Sequence, residues 1–211
     1  GSCQIHATAL TNLNTLQVDL FKNMKILSIQ INNENSTFYR KHNAVFIETN
    51  RVEKGANFEV SIQYEGVPIK ANKPPWDGGF VWDEDKNETP FIGVACEGTG
   101  ASLWWPNKDH PSDEPDSVRL HITVPDTLIA IGNGQLESIE KADSTATYTW
   151  LVKNPINNYN ITINVGDYIN IKDTLINSSG THELNYYVLS YNEEIARRYF
   201  PQAIEVIHYF E

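Results

Sequence analysis

Alternation of apolar and polar residues with a period of two dominates this chain. Cys3, Ile5, Ala7 and Ala9 fall on one face of a segment running to Leu10, and Leu16, Val18 and Leu20 repeat the pattern. Leu27, Ile29 and Ile31 form the next apolar face, with Ile26 on the other side. Strands are also expected at Ala44 to Glu48 and Phe58 to Tyr64. After a long break, alternation resumes at Val118, Leu120, Ile122 and Val124 and stops at Pro125. Further strands follow at 129–131, 135–139, 146–152, 159–165 and 184–189, with Asn133-Gly134 as a tight-turn signal. About a dozen short strands therefore precede any helix, and no internal repeat or low-complexity tract interrupts them.

The break from Gly66 to Pro115 carries seven of the ten prolines and four of the five tryptophans. Such a stretch reads as an ordered, proline-stiffened excursion with short strands at 79–82 and 91–96. Loops this long inside a compact domain are functional or disordered, and the aromatic content argues for order.

Only the C-terminal end looks helical. Ser190-Tyr191-Asn192-Glu193 has the form of a capping box. Ile195, Tyr199, Ala203, Ile207 and Phe210 share a stripe, and Pro201 is expected to kink this helix or to start a second one. The pattern predicts a mostly β fold, an antiparallel β-sandwich or saddle-like domain over 1–191. Residues 192–211 are read as the start of a linking helix, truncated at Glu211.

Composition narrows the function classes. The chain of 211 residues is long enough for a real core, and its 40% hydrophobic and 20% charged residues are ordinary for a globular protein. Sixteen Lys and Arg stand against 27 Asp and Glu, for a net charge of −11. No basic patch offsets this, so a nucleic-acid partner is not expected. Two cysteines make no disulfide framework and are read as free thiols. The apolar runs are too short to span a bilayer, so no membrane span is expected. The sequence shows no signal peptide, which suits a cytoplasmic chain, a mature one or a piece of a longer one. Gly1-Ser2 reads equally as a cloning scar or as native sequence.

Chemistry-bearing motifs are few. HExxH, GxSxG, the P-loop and the dinucleotide fingerprint are all absent. Gly98-Thr99-Gly100 lacks the ending and the following helix of a phosphate cradle. Asp109 to Asp116 concentrates oxygen ligands and one imidazole. That composition suits calcium or a transition metal, but a hydrogen-bonded acidic turn is the simpler reading and the one preferred. Trp104-Trp105 admits three roles: core, pocket wall, or a platform for sugar rings. Glu97 sits among small residues at a predicted strand end, which on its own reads as a solvated carboxylate.

The segment from Ala95 to Pro115 resembles a motif of the gluzincin zinc aminopeptidases, the family of aminopeptidase N and leukotriene hydrolase. In that family it has the form T-Q-x-E-P-T-x-A-R-x-x-F-P-x-x-D-E-P. Glu97, Thr99 and Ala101 fall on its glutamate, threonine and alanine. Trp105-Pro106 stands for Phe-Pro and Asp113-Glu114-Pro115 for Asp-Glu-Pro. Gly98 replaces the proline, Ser102 replaces the arginine, and residues 107–112 make a longer link. The Tyr64-Glu65-Gly66 strand end and the Val118 strand also look like the family pattern, and the resemblance runs from about Leu16 onward.

The resemblance implies a non-catalytic N-terminal domain of a metallopeptidase. A downstream catalytic domain of the same chain would carry GxMEN, HExxH and the zinc, and this fragment would hold no cofactor and have no catalytic residues. Glu97 would be the substrate-binding residue, holding the free α-amine of a peptide. The resemblance also points to a periplasmic or secreted location. A carbohydrate-binding module and a purely structural β module are the rival readings.

Overall fold

The computed structural model describes residues 1–74, 76–96 and 98–210. Its strands are β1 (Ser2–Thr8), β2 (Leu13–Asp19), β3 (Lys25–Ile31), β4 (Glu34–Asn35), β5 (Phe38–Lys41), β6 (Ala44–Val52), β7 (Asn57–Glu65) and β8 (Gly79–Glu84). They continue with β9 (Pro90–Ala95), β10 (Val118–Pro125), β11 (Ile129–Gly132), β12 (Gln135–Ala142), β13 (Thr145–Val152), β14 (Ile163–Gly166), β15 (Tyr168–Asn177) and β16 (Gly180–Leu189). Two short helices close the chain, α1 (Glu193–Tyr199) and α2 (Gln202–Phe210).

Strands β1 to β7 form two antiparallel sheets, in the orders β1-β7-β3-β4 and β2-β6-β5. Their inward positions meet in one core, because a strand with period two can offer its whole apolar set to a facing sheet. Val45 and Ile47 of β6 and Val60 and Ile62 of β7 are fully buried there, as is Leu20 just after β2. Register slips in two of the pairs, between Leu13 and Thr15 where β2 meets β6 and in the β3–β7 pair. Pairing of β3 with β7 slips between Ile26 and Ser28, a bulge that lets Ile26 pack against the same core as Ile29 and leaves Leu27 half exposed. The expected face of Leu27, Ile29 and Ile31 is corrected accordingly.

The remaining strands make a sheet β10-β13-β12, a sheet β11-β14-β9-β8 and a two-stranded ribbon β15-β16. The first two share a core of Leu128, Ala130, Ala146, Tyr148, Trp150 and Val165. Its buried polar tips are satisfied: the Tyr148 hydroxyl donates to the Leu128 carbonyl at 3.2 Å and Trp150 Nε1 to that of Ala130 at 3.0 Å. Asn133-Gly134 does turn the chain, but β11 pairs with β14 and β12 with β13. The turn therefore hands the chain from one sheet to another rather than closing a hairpin. Gly134 has φ +86°, and a Cβ there would lie 2.1 Å from the Leu151 carbonyl oxygen, so only glycine fits.

Three expectations change. Residues 159–165 are not one strand, since Asn158–Asn160 is a single 3₁₀ turn and β14 begins at Ile163. The ten-residue strand β15 has no counterpart in the sequence reading. Asp173 and the exposed Ile176 interrupt its alternation, and much of the ribbon is solvated on both faces. The capping box does not form either: the Ser190 hydroxyl reaches Asp167 Oδ2 at 3.0 Å, and Asn192 caps α1 without a side-chain bond. Pro201 separates the two helices, as its missing N–H dictates. The face of α1 that packs is that of Ala196 and Phe200 against the ribbon, whereas Ile195 and Tyr199 of the predicted stripe are exposed.

Candidate functional site

The segment after β9 folds back on itself through hydrogen bonds more than through apolar packing. The Cys96 carbonyl accepts from Thr99 N at 3.2 Å and from Gly100 N at 2.8 Å, which closes a tight turn. Gly98 takes φ +72° and Gly100 φ +93°, both in the range that L side chains avoid. A single buried 3₁₀ turn follows at Ala101–Leu103. The N–H groups at its start are met by the carboxylate of Asp109, which accepts from Ala101 N at 3.3 Å, Ser102 N at 3.0 Å and Ser102 Oγ at 2.7 Å. The approach is so close that a Cβ on Gly100 would sit 2.2 Å from Asp109 Oδ2.

Next comes an anchor. Trp104 and Trp105 meet edge to face with centroids 6.2 Å apart, and Trp104 also meets Phe80 at 6.3 Å. Trp105 touches both the core of the β1–β7 sandwich and the smaller cluster around Phe80 and Leu103. Both indole Nε1 atoms are buried. Of the three roles open to this pair, core is the one the packing supports. Pro106 and Asn107 are buried, and Asn107 exchanges backbone hydrogen bonds with Asp19 at the end of β2, at 2.7 and 3.2 Å. Phe21 N adds a bond to the Ser102 carbonyl at 2.9 Å.

The acidic stretch is a hydrogen-bonded turn. His110 Nδ1 lies 2.7 Å from Ser112 Oγ, and Lys108 pairs with Asp113 at 3.2 Å across solvent. The turn is held from the far side by two asparagines. Asn158, 5% exposed, donates through Nδ2 to the carbonyls of Lys108 at 2.8 Å and Asp113 at 3.4 Å, and Asn157 Nδ2 donates to that of Pro111 at 3.3 Å. Between the Cys96–Gly100 turn and this pair lies a cleft of about 450 Å³. Its walls are Cys96, Gly98 and Gly100 on one side, Asp109, His110 and Pro111 on another, and Asn157 to Tyr159 opposite.

Glu97, the predicted substrate-binding residue, lies outside the described residues. Its neighbours Cys96 and Gly98 both line the cleft. Two departures from the aminopeptidase motif have a local explanation. Proline is locked near φ −65° and cannot take the +72° of Gly98, so this turn requires the replacement. Ser102 is 3% exposed and spends its hydroxyl on Asp109, where an arginine has no room to extend.

The sequence reading gave Asn157 and Asn158 no role and placed Tyr159 in a strand. Only a turn-like Asn-Asn pair marked them, 40 residues and more from the segment they hold. Among the described residues no three His, Cys, Asp or Glu side chains gather to hold a metal ion. Burial pushes the Cys96 thiol up to about 11, aided by the charge of Asp109, which leaves it protonated and a poor nucleophile at neutral pH. Among the described residues no helix is long and apolar enough to cross a membrane.

No family model and no curated protein matches the chain. Solved structures do match. A two-domain M1 zinc metallopeptidase, solved as a variant bound to L-tryptophan, superposes with a TM-score of 0.77 at 17% identity, over 90% of this chain and 43% of that one. The same values hold for a variant of the M1 zinc metallopeptidase from Deinococcus radiodurans bound to a Tyr-Ser-Ala substrate. A further structure of the Deinococcus radiodurans enzyme gives 0.76 at 16% identity, over 90% and 42%. The fold is that of part of an M1 zinc metallopeptidase. The chain spans less than half the length of the enzymes it matches.

Proposed function

We propose that this chain is the N-terminal, non-catalytic domain of a zinc metallo-aminopeptidase that removes N-terminal residues from peptides, and that Glu97 binds the substrate's α-amine. The observation that carries the reading is the agreement of fold over 90% of this chain with M1 zinc metallopeptidases. The aminopeptidase-like motif adds weight, because Cys96 and Gly98, the residues flanking Glu97 in the chain, line a cleft of about 450 Å³.

A carboxylate at the rim of a partly desolvated site holds an ammonium group by charge-assisted hydrogen bonds. Fixing that amine also fixes which peptide bond meets the reacting centre, and exopeptidase action follows from that register. The hydrolytic chemistry belongs to the zinc and general base of a downstream domain, a partner in the same chain reached through 192–211. Nothing in this domain is asked to take part in it.

The test is Glu97→Gln in the full-length protein, assayed on leucine anilide and on its N-acetylated form. The free-amine substrate is expected to lose roughly 100-fold in kcat/KM, the value of an ion pair worth about 2.7 kcal/mol. Equal kcat/KM in variant and parent overturns the assignment.

A further inference from the structure

Helices α1 and α2 have two faces with different fates. The inner face of α1 is spent on the ribbon, where Ala196 is buried and the Phe200 ring meets that of Tyr186 at 5.0 Å. The ion pair of α1 is internal, with Arg197 Nε and Nη2 at 2.8 and 2.7 Å from Glu193 Oε1, so it needs no counter-charge from outside. The other face is apolar and open. Ile195 and Tyr199 follow one another at i, i+4 along α1, and Val206, Tyr209 and Phe210 at i, i+3, i+4 along α2, spacings that share one side of a helix. All five are more than half exposed, and Tyr209 and Phe210 pack edge to face with centroids 5.5 Å apart.

Such a surface is unfinished in two respects. Helix α2 has nine residues and none of its described side chains is buried, and a helix that short does not persist in water without tertiary support. Soluble surfaces rarely gather large apolar side chains so closely, and Tyr and Phe in particular concentrate at the centres of interfaces. Charge argues against a second copy as the cover, because each chain carries a net −11 and two of them repel. Length points to a different occupant. More than half of each matched enzyme lies outside the part that superposes on this chain, and in the reading above a further domain follows α2 directly. A face of two short helices at the point where the chain passes into that domain is the surface it reaches first.

We infer that the outer face of α1 and α2 is the docking surface for the downstream domain of the same polypeptide, with Tyr209 and Phe210 as its anchors. This rests on the reading above for the existence of that domain. The full-length protein is treated with tetranitromethane, and nitration of each tyrosine is followed by peptide mass spectrometry. Tyr39, 57% exposed on the β1–β7 sandwich, is the internal reference. Tyr209 is 84% exposed in this domain and Tyr199 51%. In the native full-length protein both are expected to react at least about tenfold more slowly than Tyr39, and in urea to match it. The protection should survive roughly 100-fold dilution, as a contact within one chain does. Val206→Asp puts a charge into the buried face and should return Tyr209 to within about twofold of Tyr39. Equal rates for Tyr209 and Tyr39 in the native protein overturn the docking surface, and protection that is lost on dilution overturns it in favour of a second copy. Cleavage of leucine anilide by the same sample tests the other reading separately. Cleavage with a reactive Tyr209 overturns the surface alone, whereas a protected Tyr209 without cleavage overturns the aminopeptidase reading and leaves the docking surface standing.

Discussion

The β1–β7 sandwich and the Cys96–Pro115 segment are built on opposite principles. In the sandwich two sheets bury their alternate residues against each other, and Val45, Ile47, Val60 and Ile62 lose all contact with water. The segment has one 3₁₀ turn of three residues as its regular structure and is held instead by side chains that satisfy backbone groups: Asp109 at three sites, Asn158 at two and Asn157 at one. Burial of apolar area is non-directional and tolerant, so it makes a stable platform. Hydrogen bonds are directional and fix atoms to within a few tenths of an ångström, so they shape a site. The two meet at Trp105, which packs on the sandwich core and on the cluster under the cleft.

Truncation of a core side chain is the largest test of the contrast. Ile62→Ala removes three carbons from a site with no exposure, and a loss of about 3–4 kcal/mol in unfolding free energy is expected. Urea unfolding followed by far-UV circular dichroism reads it. A loss under 1 kcal/mol would mean that the sheets do not pack as described.

A substitution in the segment should do the reverse. Asp109→Ala strands the N–H groups of Ala101 and Ser102 and the Ser102 hydroxyl, at a cost of about 1–3 kcal/mol. Its larger effect falls on the cleft, since Asp109 is both the brace of the Gly100 turn and part of the wall. Hydrogen exchange at the Ala101 and Ser102 amides should accelerate at least tenfold while the β7 amides keep their protection. Uniform acceleration across the chain would erase the distinction between platform and site.

The same contrast explains what the sequence made legible. Strands β1, β7 and β10 alternate cleanly because one face of each is buried, and period two is the signature of that burial. The β3 bulge, the short strands β4 and β5 and the solvated ribbon strand β15 carry no such signature. Within the site, the Cys96–Pro115 segment was visible as a motif, and the acidic stretch was readable as a turn. The grip of Asn157 and Asn158 was not, because one amide bonding to carbonyls some 45–50 residues away leaves no local pattern. Tyr159 was hidden for the same reason. A tyrosine in an apparent strand gives no hint that it belongs to a 3₁₀ turn beside a cleft.

The two thiols give the smallest effect and place one probe in each region. Cys3 sits in β1 with its sulfur against the sandwich, and burial pushes it up to about 12; Cys96 lines the cleft and rises to about 11. An unfolded thiol titrates near 9, so above that pH the unfolded chain has released protons that the native chain retains. The stability that each buried thiol contributes is therefore complete below pH 9. It declines as pH rises, through about 11 for Cys96 and about 12 for Cys3. Cys96→Ala should flatten the fall of the urea midpoint between pH 9 and 11, and Cys3→Ala should flatten a fall that continues beyond 11. Native protein at pH 8 should leave both thiols unlabelled by a disulfide reagent that reacts within seconds in urea. Labelling of Cys96 at a rate near that of the unfolded chain would show the cleft to be wetter than its lining implies, and the hydrogen-bonded segment looser than the sandwich it stands on.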